Sequence, residues 1–179
     1  MTRSIGWIVC LTVLLTTGFS RAEVKQLTPG GFTVEQDVIL AATPPAVYDT
    51  VTGDISGWWD HSFSKTPKKL YIEPKPGGGF YEIFNDSGDG ALHATVIYAE
   101  RGKKLTFTGP LGLSGKAVDI VTSYELSPDP AGTRLHLTVN ATGQTSEDVA
   151  KIVDSVWHHF LIERLQPYIK SGAYLRRKP

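Results

Sequence analysis

Few side chains in this sequence can do chemistry, and they lie far apart along the chain. His61 follows Asp60 directly after the pair Trp58-Trp59. A histidine beside a carboxylate can act as a general base, because the carboxylate fixes its tautomer. The plainer reading is a helix-end pair next to two tryptophans that close one end of the core. It is preferred, because no second catalytic partner accompanies the motif. His93 stands between Leu92 and Ala94 in a strand-like run. Alternation groups it with Thr95 and Ile97 against Leu92, Ala94 and Val96, which leaves open which set faces inward. Turned inward, His93 could hydrogen-bond a ligand or take a proton; turned outward, it is a solvated strand residue. Tyr124 is the donor that would work with a base at His61 or His93.

The remaining polar candidates sit late in the chain. Arg164 falls inside an apolar helical stripe, where it could anchor an anionic head group. The preferred reading has its stem packed and its head in water. His158 and His159 are neighbours on one helix and project about 100° apart, so they cannot chelate one metal together. His159 can pair with Glu163 one turn on. No metal site and no cofactor is expected. Asn85, Ser87, Asp89 and Gly90 imitate a calcium loop, but Val96 stands where its bidentate carboxylate belongs. The stretch Gly109 to Lys116 misses the phosphate loop by one residue, and Gly112-Leu113-Ser114-Gly115-Lys116 lacks the last glycine of a nucleophile elbow. It reads instead as an apolar, flexible loop and a pocket gate. Asn85-Asp86-Ser87 and Asn140-Ala141-Thr142 are glycosylation acceptors only in a eukaryotic source.

The elements that must position these groups follow from hydrophobic period and turn chemistry. Phe32, Val34, Val38 and Leu40 alternate with polar residues as a half-buried strand does. Thr43 before Pro44 starts a short helix to about Val51, and a second short helix is expected over Asp54 to Trp59. Strand-like runs follow at Leu70–Ile72, Phe80–Phe84, Ala91–Ala99, Leu105–Thr108, Val118–Leu126 and over Leu135, Leu137 and Val139, separated by turn signals. Thr145 with Asp148 three residues on resembles a capping box. From there Val149, Ile152, Val153, Val156, Trp157, Phe160, Arg164 and Tyr168 fall within about 160° of arc, and Leu161, Leu165 and Ile169 widen the stripe. Pro167 should kink the helix near Glu163. So wide an apolar stripe needs sheet on more than one side. The expected fold is α+β, a curved antiparallel sheet of about seven strands wrapped around a long C-terminal helix, with a pocket between them.

Composition narrows the function. The chain has 179 residues with 18 basic and 18 acidic side chains. Arg3, an apolar run from Ile5 to Phe19 and the small residues of Ser20-Arg21-Ala22 read as a secretory signal cut after Ala22. The run is too short for a spanning helix. Cleavage would remove Cys10, the single cysteine, and leave 157 residues with a net charge of −2. Such a chain has no disulfide, no thiolate nucleophile, no integral membrane span and no basic field for nucleic acid. The expected organisation is signal peptide 1–22, lead-in 23–30, one folded domain 31–172 and a tail 173–179, in an exported, periplasmic or secreted protein.

The order of elements, A-A-T-P-P-A-V-Y-D at 41–49, W-W-D-H at 58–61, E-P-K-P-G-G-G-F at 73–80, L-T-F-T at 105–108 and W-H-H-F-L-I-E-R-L at 157–165 together resemble the START-like (SRPBCC) superfamily. That superfamily includes the birch-pollen allergen fold, polyketide cyclases and homologues of the heat-shock ATPase activator. The resemblance implies a helix-grip fold over about residues 31–170. It does not imply an activity, because the superfamily holds binders, transfer proteins and enzymes. His93-Ala94 stands where the family's strand carries Trp-Gly, and an exported chain would not meet the cytosolic ATPase of the cochaperone branch. The expected function is to hold a hydrophobic or amphiphilic small molecule, with Trp58, Trp59, Phe80, His93, Phe107, Tyr124, Trp157, Phe160 and Arg164 as its contacts. Two other functions stay open: a cyclase- or dehydratase-type enzyme using a cavity histidine, and an envelope interaction module using W-W-D-H and the 109–115 loop.

Overall fold

The structure, a computed structural model, describes residues 30–176. The expected export signal, its cleavage point and residues 23–29 lie outside them. Among the described residues, one open antiparallel sheet contains eight strands: β1 (Gly30–Leu40), β2 (Gly53–Asp54), β3 (Lys69–Ile72), β4 (Gly79–Ile83), β5 (Gly90–Glu100), β6 (Lys104–Thr108), β7 (Val118–Asp129) and β8 (Gly132–Gly143). Their order across the sheet is β1-β8-β7-β6-β5-β4-β3-β2. From β2 to β8 each strand pairs with its successor, and β1 returns to the far edge beside β8, Val34 opposite Val139. No helix among the described residues is long and apolar enough to cross a membrane.

Two short elements depart from expectation. Helix α1 (Pro44–Thr50) is present, though Thr43 makes no side-chain capping bond. The second short helix over Asp54–Trp59 is not: β2 and a single turn take its place, which accounts for the eighth strand. Asp54 Oδ1 accepts the Ser56 amide at 3.0 Å, a local bond that competes with helix propagation. In the turn, the Trp58 and Trp59 amides both donate to the Ile55 carbonyl, at 3.2 and 2.9 Å.

The C-terminal helix runs as α2 (Glu147–His158), a π-helical segment His159–Leu165 and α3 (Gln166–Lys170). Its N-cap is Ser146, whose hydroxyl accepts the Val149 amide at 3.3 Å, rather than Thr145. Thr145 is committed to the preceding turn, where its amide donates to the Gly143 carbonyl. Pro167 has no N–H to offer Glu163, and the Gln166 amide reaches back five residues to Leu161. A π-helical turn advances each residue by less than 100°, so the buried face rotates along the segment. Leu161 and Leu165 become completely buried, whereas Arg164, which a uniform α-helix puts on the stripe, turns out to the surface. Ile152 is also left exposed.

The helix seats on the concave sheet through aromatic contacts. Trp59 stacks on Phe160 with ring centroids 3.9 Å apart, and meets Trp157 edge-on at 5.7 Å. Trp58 fills the layer behind and donates its indole N–H to the Thr50 carbonyl at 3.0 Å. Two glutamines tie the helix to the β1 edge. Gln36 Nε2 donates to the Asp154 carbonyl at 2.8 Å, and Gln166 Nε2 donates to the Ile39 carbonyl at 3.0 Å. The rotated face has a direct consequence. Leu161→Ala should cost about 2–5 kcal/mol of stability and Ile152→Ala less than about 1. Urea unfolding of the two variants checks the ordering; a uniform α-helical stripe would give comparable losses.

Candidate functional site

A cavity of about 720 Å³ lies between the concave sheet and α2. Its inner wall comes from Phe80 of β4, His93 of β5, Ile120 of β7 and Val139 of β8, with Trp157 and Phe160 above. The rim is formed by the 59–63 segment, the 110–113 turn and the helix residues Ile152, Val153 and Val156. The turn is the apolar stretch read as a gate. Leu111 holds a left-handed backbone there (φ 49°), a conformation that costs a side-chain-bearing residue roughly 1–2 kcal/mol.

Five of the nine expected ligand contacts line this cavity: Trp59, Phe80, His93, Trp157 and Phe160. Four do not. Trp58, Phe107 and Tyr124 are packed into the core beside it, each about 1% exposed. Arg164 points to the surface, with Nε 3.1 Å from Asp60 Oδ2, so it is not a charge facing the interior. Of the three weak catalytic candidates, His93 lies in the inner wall and His61 on the rim, whereas Tyr124 is edge-on to Phe107 and Trp157. The Tyr124 hydroxyl and the Thr122 hydroxyl, on the face of β7 that carries Ile120, are buried without hydrogen-bond partners among the described residues. Burial drives the Tyr124 phenol well above its ordinary pKa, so it stays protonated.

The face of His93 is decided by a β-bulge. Phe80 pairs with Ala94 but Tyr81 pairs with Leu92, so His93 is the extra residue. Both His93 and Ala94 are therefore buried in succession, which strict alternation forbids. Gly109 permits the fit: a Cβ there would stand 2.5 Å from the His93 carbonyl oxygen and from Ala94 Cα.

Sequence reasoning missed the partner of His93. Glu82 is completely buried, and its Oε2 lies 2.9 Å from His93 Nε2. The same carboxylate accepts the Phe63 amide at 3.0 Å and the Ser64 amide at 2.7 Å. A buried carboxylate is costly unless its oxygens are hydrogen-bonded, and here three N–H groups meet them. Glu82 thus fixes both the imidazole and the rim segment. In the tautomer that donates Nε2–H to Glu82, Nδ1 carries the lone pair and has no partner among the described residues. The signal was available, because Glu82 shares strand parity with Phe80.

On the rim, Asp60 gathers side chains that sequence reasoning treated separately. His61 Nδ1 is 3.1 Å from Asp60 Oδ1, and His159 Nε2 is 3.0 Å from both carboxylate oxygens. The expected His159–Glu163 pair is present at 2.8 Å, while His158 is exposed. Burial opposes ionisation of Asp60, but hydrogen bonds from His159 and His61, together with the Arg164 charge, outweigh it and hold the carboxyl below its usual range. Hydrogen bonds to Glu163 and then Asp60 raise the pKa of His159.

The load on Glu82 can be measured. Glu82→Leu strands two amides and an imidazole, and should cost on the order of 3–5 kcal/mol in urea unfolding. Glu82→Gln, which keeps one acceptor oxygen, should cost about 1–3. A loss below about 1 kcal/mol for the leucine variant would rule out the buried hydrogen-bond network.

A family model described as Activator of Hsp90 ATPase homolog 1-like protein matches residues 41–170. A comparison with curated proteins gave no match. Among solved structures, a protein from Rhodobacter sphaeroides is similar at 19% identity and a TM-score of 0.60, with 83% of this chain and 100% of that one covered. An uncharacterised protein from Rhizobium leguminosarum is similar at 12% identity and a TM-score of 0.59, covering 80% and 97%. The solution structure of an AHSA1-like protein from Rhizobium etli is similar at 21% identity and a TM-score of 0.52, covering 82% and 86%. At these identities the structures speak to the fold alone. The family match spans well over half of the chain and agrees with the single antiparallel sheet gripping a long helix: the chain belongs to the Activator of Hsp90 ATPase homolog 1-like family of the START-like superfamily.

Proposed function

We propose that this chain is an exported binding or carrier protein that holds a hydrophobic or amphiphilic small molecule between sheet and helix. The observation that carries this reading is the cavity itself. At about 720 Å³ it is of a size that takes drug- or lipid-sized ligands. Its wall is mostly aromatic and aliphatic, with His93 as the polar group within and Ser62 and the Asp60 cluster on the rim. That is the composition of a site where apolar burial gives affinity and a few polar atoms give orientation. Export rests on the N-terminal segment. A cavity rather than a filled interior favours a carrier over an interaction module.

The test is direct. Untagged protein should yield an extractable lipid-like molecule, or bind a fluorescent fatty-acid analogue with Kd of about 10 µM or tighter. Val156→Trp, which enlarges a rim side chain into the cavity, should weaken that binding at least tenfold while circular dichroism is unchanged. No extractable ligand together with no saturable binding would overturn the reading.

The Glu82–His93 pair favours a second reading, in which His93 Nδ1 takes a proton from a bound carbonyl compound. Under it, the protein should exchange the acidic C–H of a bound ketone with deuterium from solvent. His93→Gln should abolish exchange and leave ketone binding within about twofold of wild type. Exchange at the uncatalysed rate would leave the pair a structural one.

A further inference from the structure

Asp60, His61 and His159 bring one carboxylate and two imidazoles together where the 59–63 segment meets the C-terminal helix. One ligand atom from each residue lies within 4.8 Å of the others. Two of the three edges are already short: Asp60 Oδ1 is 3.1 Å from His61 Nδ1 and 3.0 Å from His159 Nε2. A zinc-type ion takes histidine nitrogen and aspartate oxygen at about 2.0–2.2 Å, which sets tetrahedral ligand atoms roughly 3.3 Å apart. Only the His61–His159 edge has to adjust, and the His61 side chain is 54% exposed.

Two further observations fit an ion at this point. Glu163 lies 2.8 Å from His159 Nδ1. A carboxylate on the far nitrogen fixes the tautomer of a metal-binding histidine and leaves Nε2 to face the ion. Arg164 Nε engages Asp60 Oδ2 at 3.1 Å, the carboxylate oxygen other than the proposed ligand Oδ1. All three residues line the cavity, so an ion held by them would border its contents. Three protein ligands leave a position open for water or a ligand oxygen.

We propose that Asp60 Oδ1, His61 Nδ1 and His159 Nε2 bind one divalent first-row transition ion of the zinc type at the cavity rim, with Glu163 orienting His159. Two imidazoles and one carboxylate suit zinc or cobalt rather than calcium or magnesium, which take oxygen ligands. The site is separate from the apolar wall, so it stands whether or not an amphiphile fills the cavity.

Cobalt(II) titration of untagged protein, followed by its visible absorption, tests this. One equivalent should bind, zinc(II) should displace it, and the zinc Kd should be about 10 µM or tighter. His61→Ala and His159→Ala should each weaken binding at least tenfold, and Glu163→Gln by about tenfold. His158→Ala, on the same helix but outside the triangle, should bind as wild type does. Absence of saturable binding below about 100 µM would overturn the proposal. So would wild-type affinity in either His61→Ala or His159→Ala, or a loss in His158→Ala as large as that in His159→Ala.

Discussion

A single curved sheet of eight strands presents more apolar concave surface than one helix can cover, and the internal space follows from that mismatch. The helix is held off-centre. Gln36 and Gln166 tie it to the β1 edge, and Trp59 stacks between the sheet and Phe160. Water in the uncovered part would face Phe80, Ile120, Val139 and Trp157, all apolar, while filling the gap would take side chains larger than the chain supplies. The cavity is thus a product of topology and of where the helix is fastened.

Within that apolar frame, polar groups sit where the backbone can support them. The bulge at His93 turns an imidazole inward without breaking the inward run of Ala94 and Val96. Glu82, one strand over, holds that imidazole and the amides of Phe63 and Ser64. A single carboxylate therefore couples the cavity wall to its rim. The rim has its own centre at Asp60, which joins the 59–63 segment to the helix through His159 and Arg164. Ion pairs exposed to this degree add little stability, so the cluster is not what holds the helix to the sheet.

Much of the fold was legible from the residues. Phe32–Leu40 carries the period of two of a half-buried strand, Leu70–Ile72 and Val118–Leu126 are strand-like runs between turn signals, and each is a strand. The broad helical stripe called for a gripping sheet. What failed was local. Asp54 diverted the expected second helix into a turn through a side-chain bond that propensity does not count. Arg164 was assigned to the apolar face because uniform 100° spacing was assumed through a segment that is π-helical. In the site, the aromatic wall was half legible: Trp59, Phe80, Trp157 and Phe160 line the cavity, but Trp58, Phe107 and Tyr124 share their chemistry and are core. Period cannot separate wall from core when both are aromatic. His93 was undecidable by alternation, since a bulge is a break in alternation. The convergence of Asp60, His61 and His159 spans 99 residues and is visible only once the chain is folded.

The pairing of β1 with β8 sets the order in which this molecule can come into being. Thr33 and Asn140 hydrogen-bond at a sequence separation of 107, and β8 lies between β1 and β7 in the sheet. The hairpins from β3 to β8 can form as each strand emerges during synthesis, but the first strand must wait for the last. The helix, which is fastened to that first strand, waits longer still. Closure of so long a loop is entropically slow, and folds dominated by distant pairings acquire their structure late. The concave apolar face therefore stays open to solvent until the chain is almost complete, and the cavity is among the last parts of the molecule to exist.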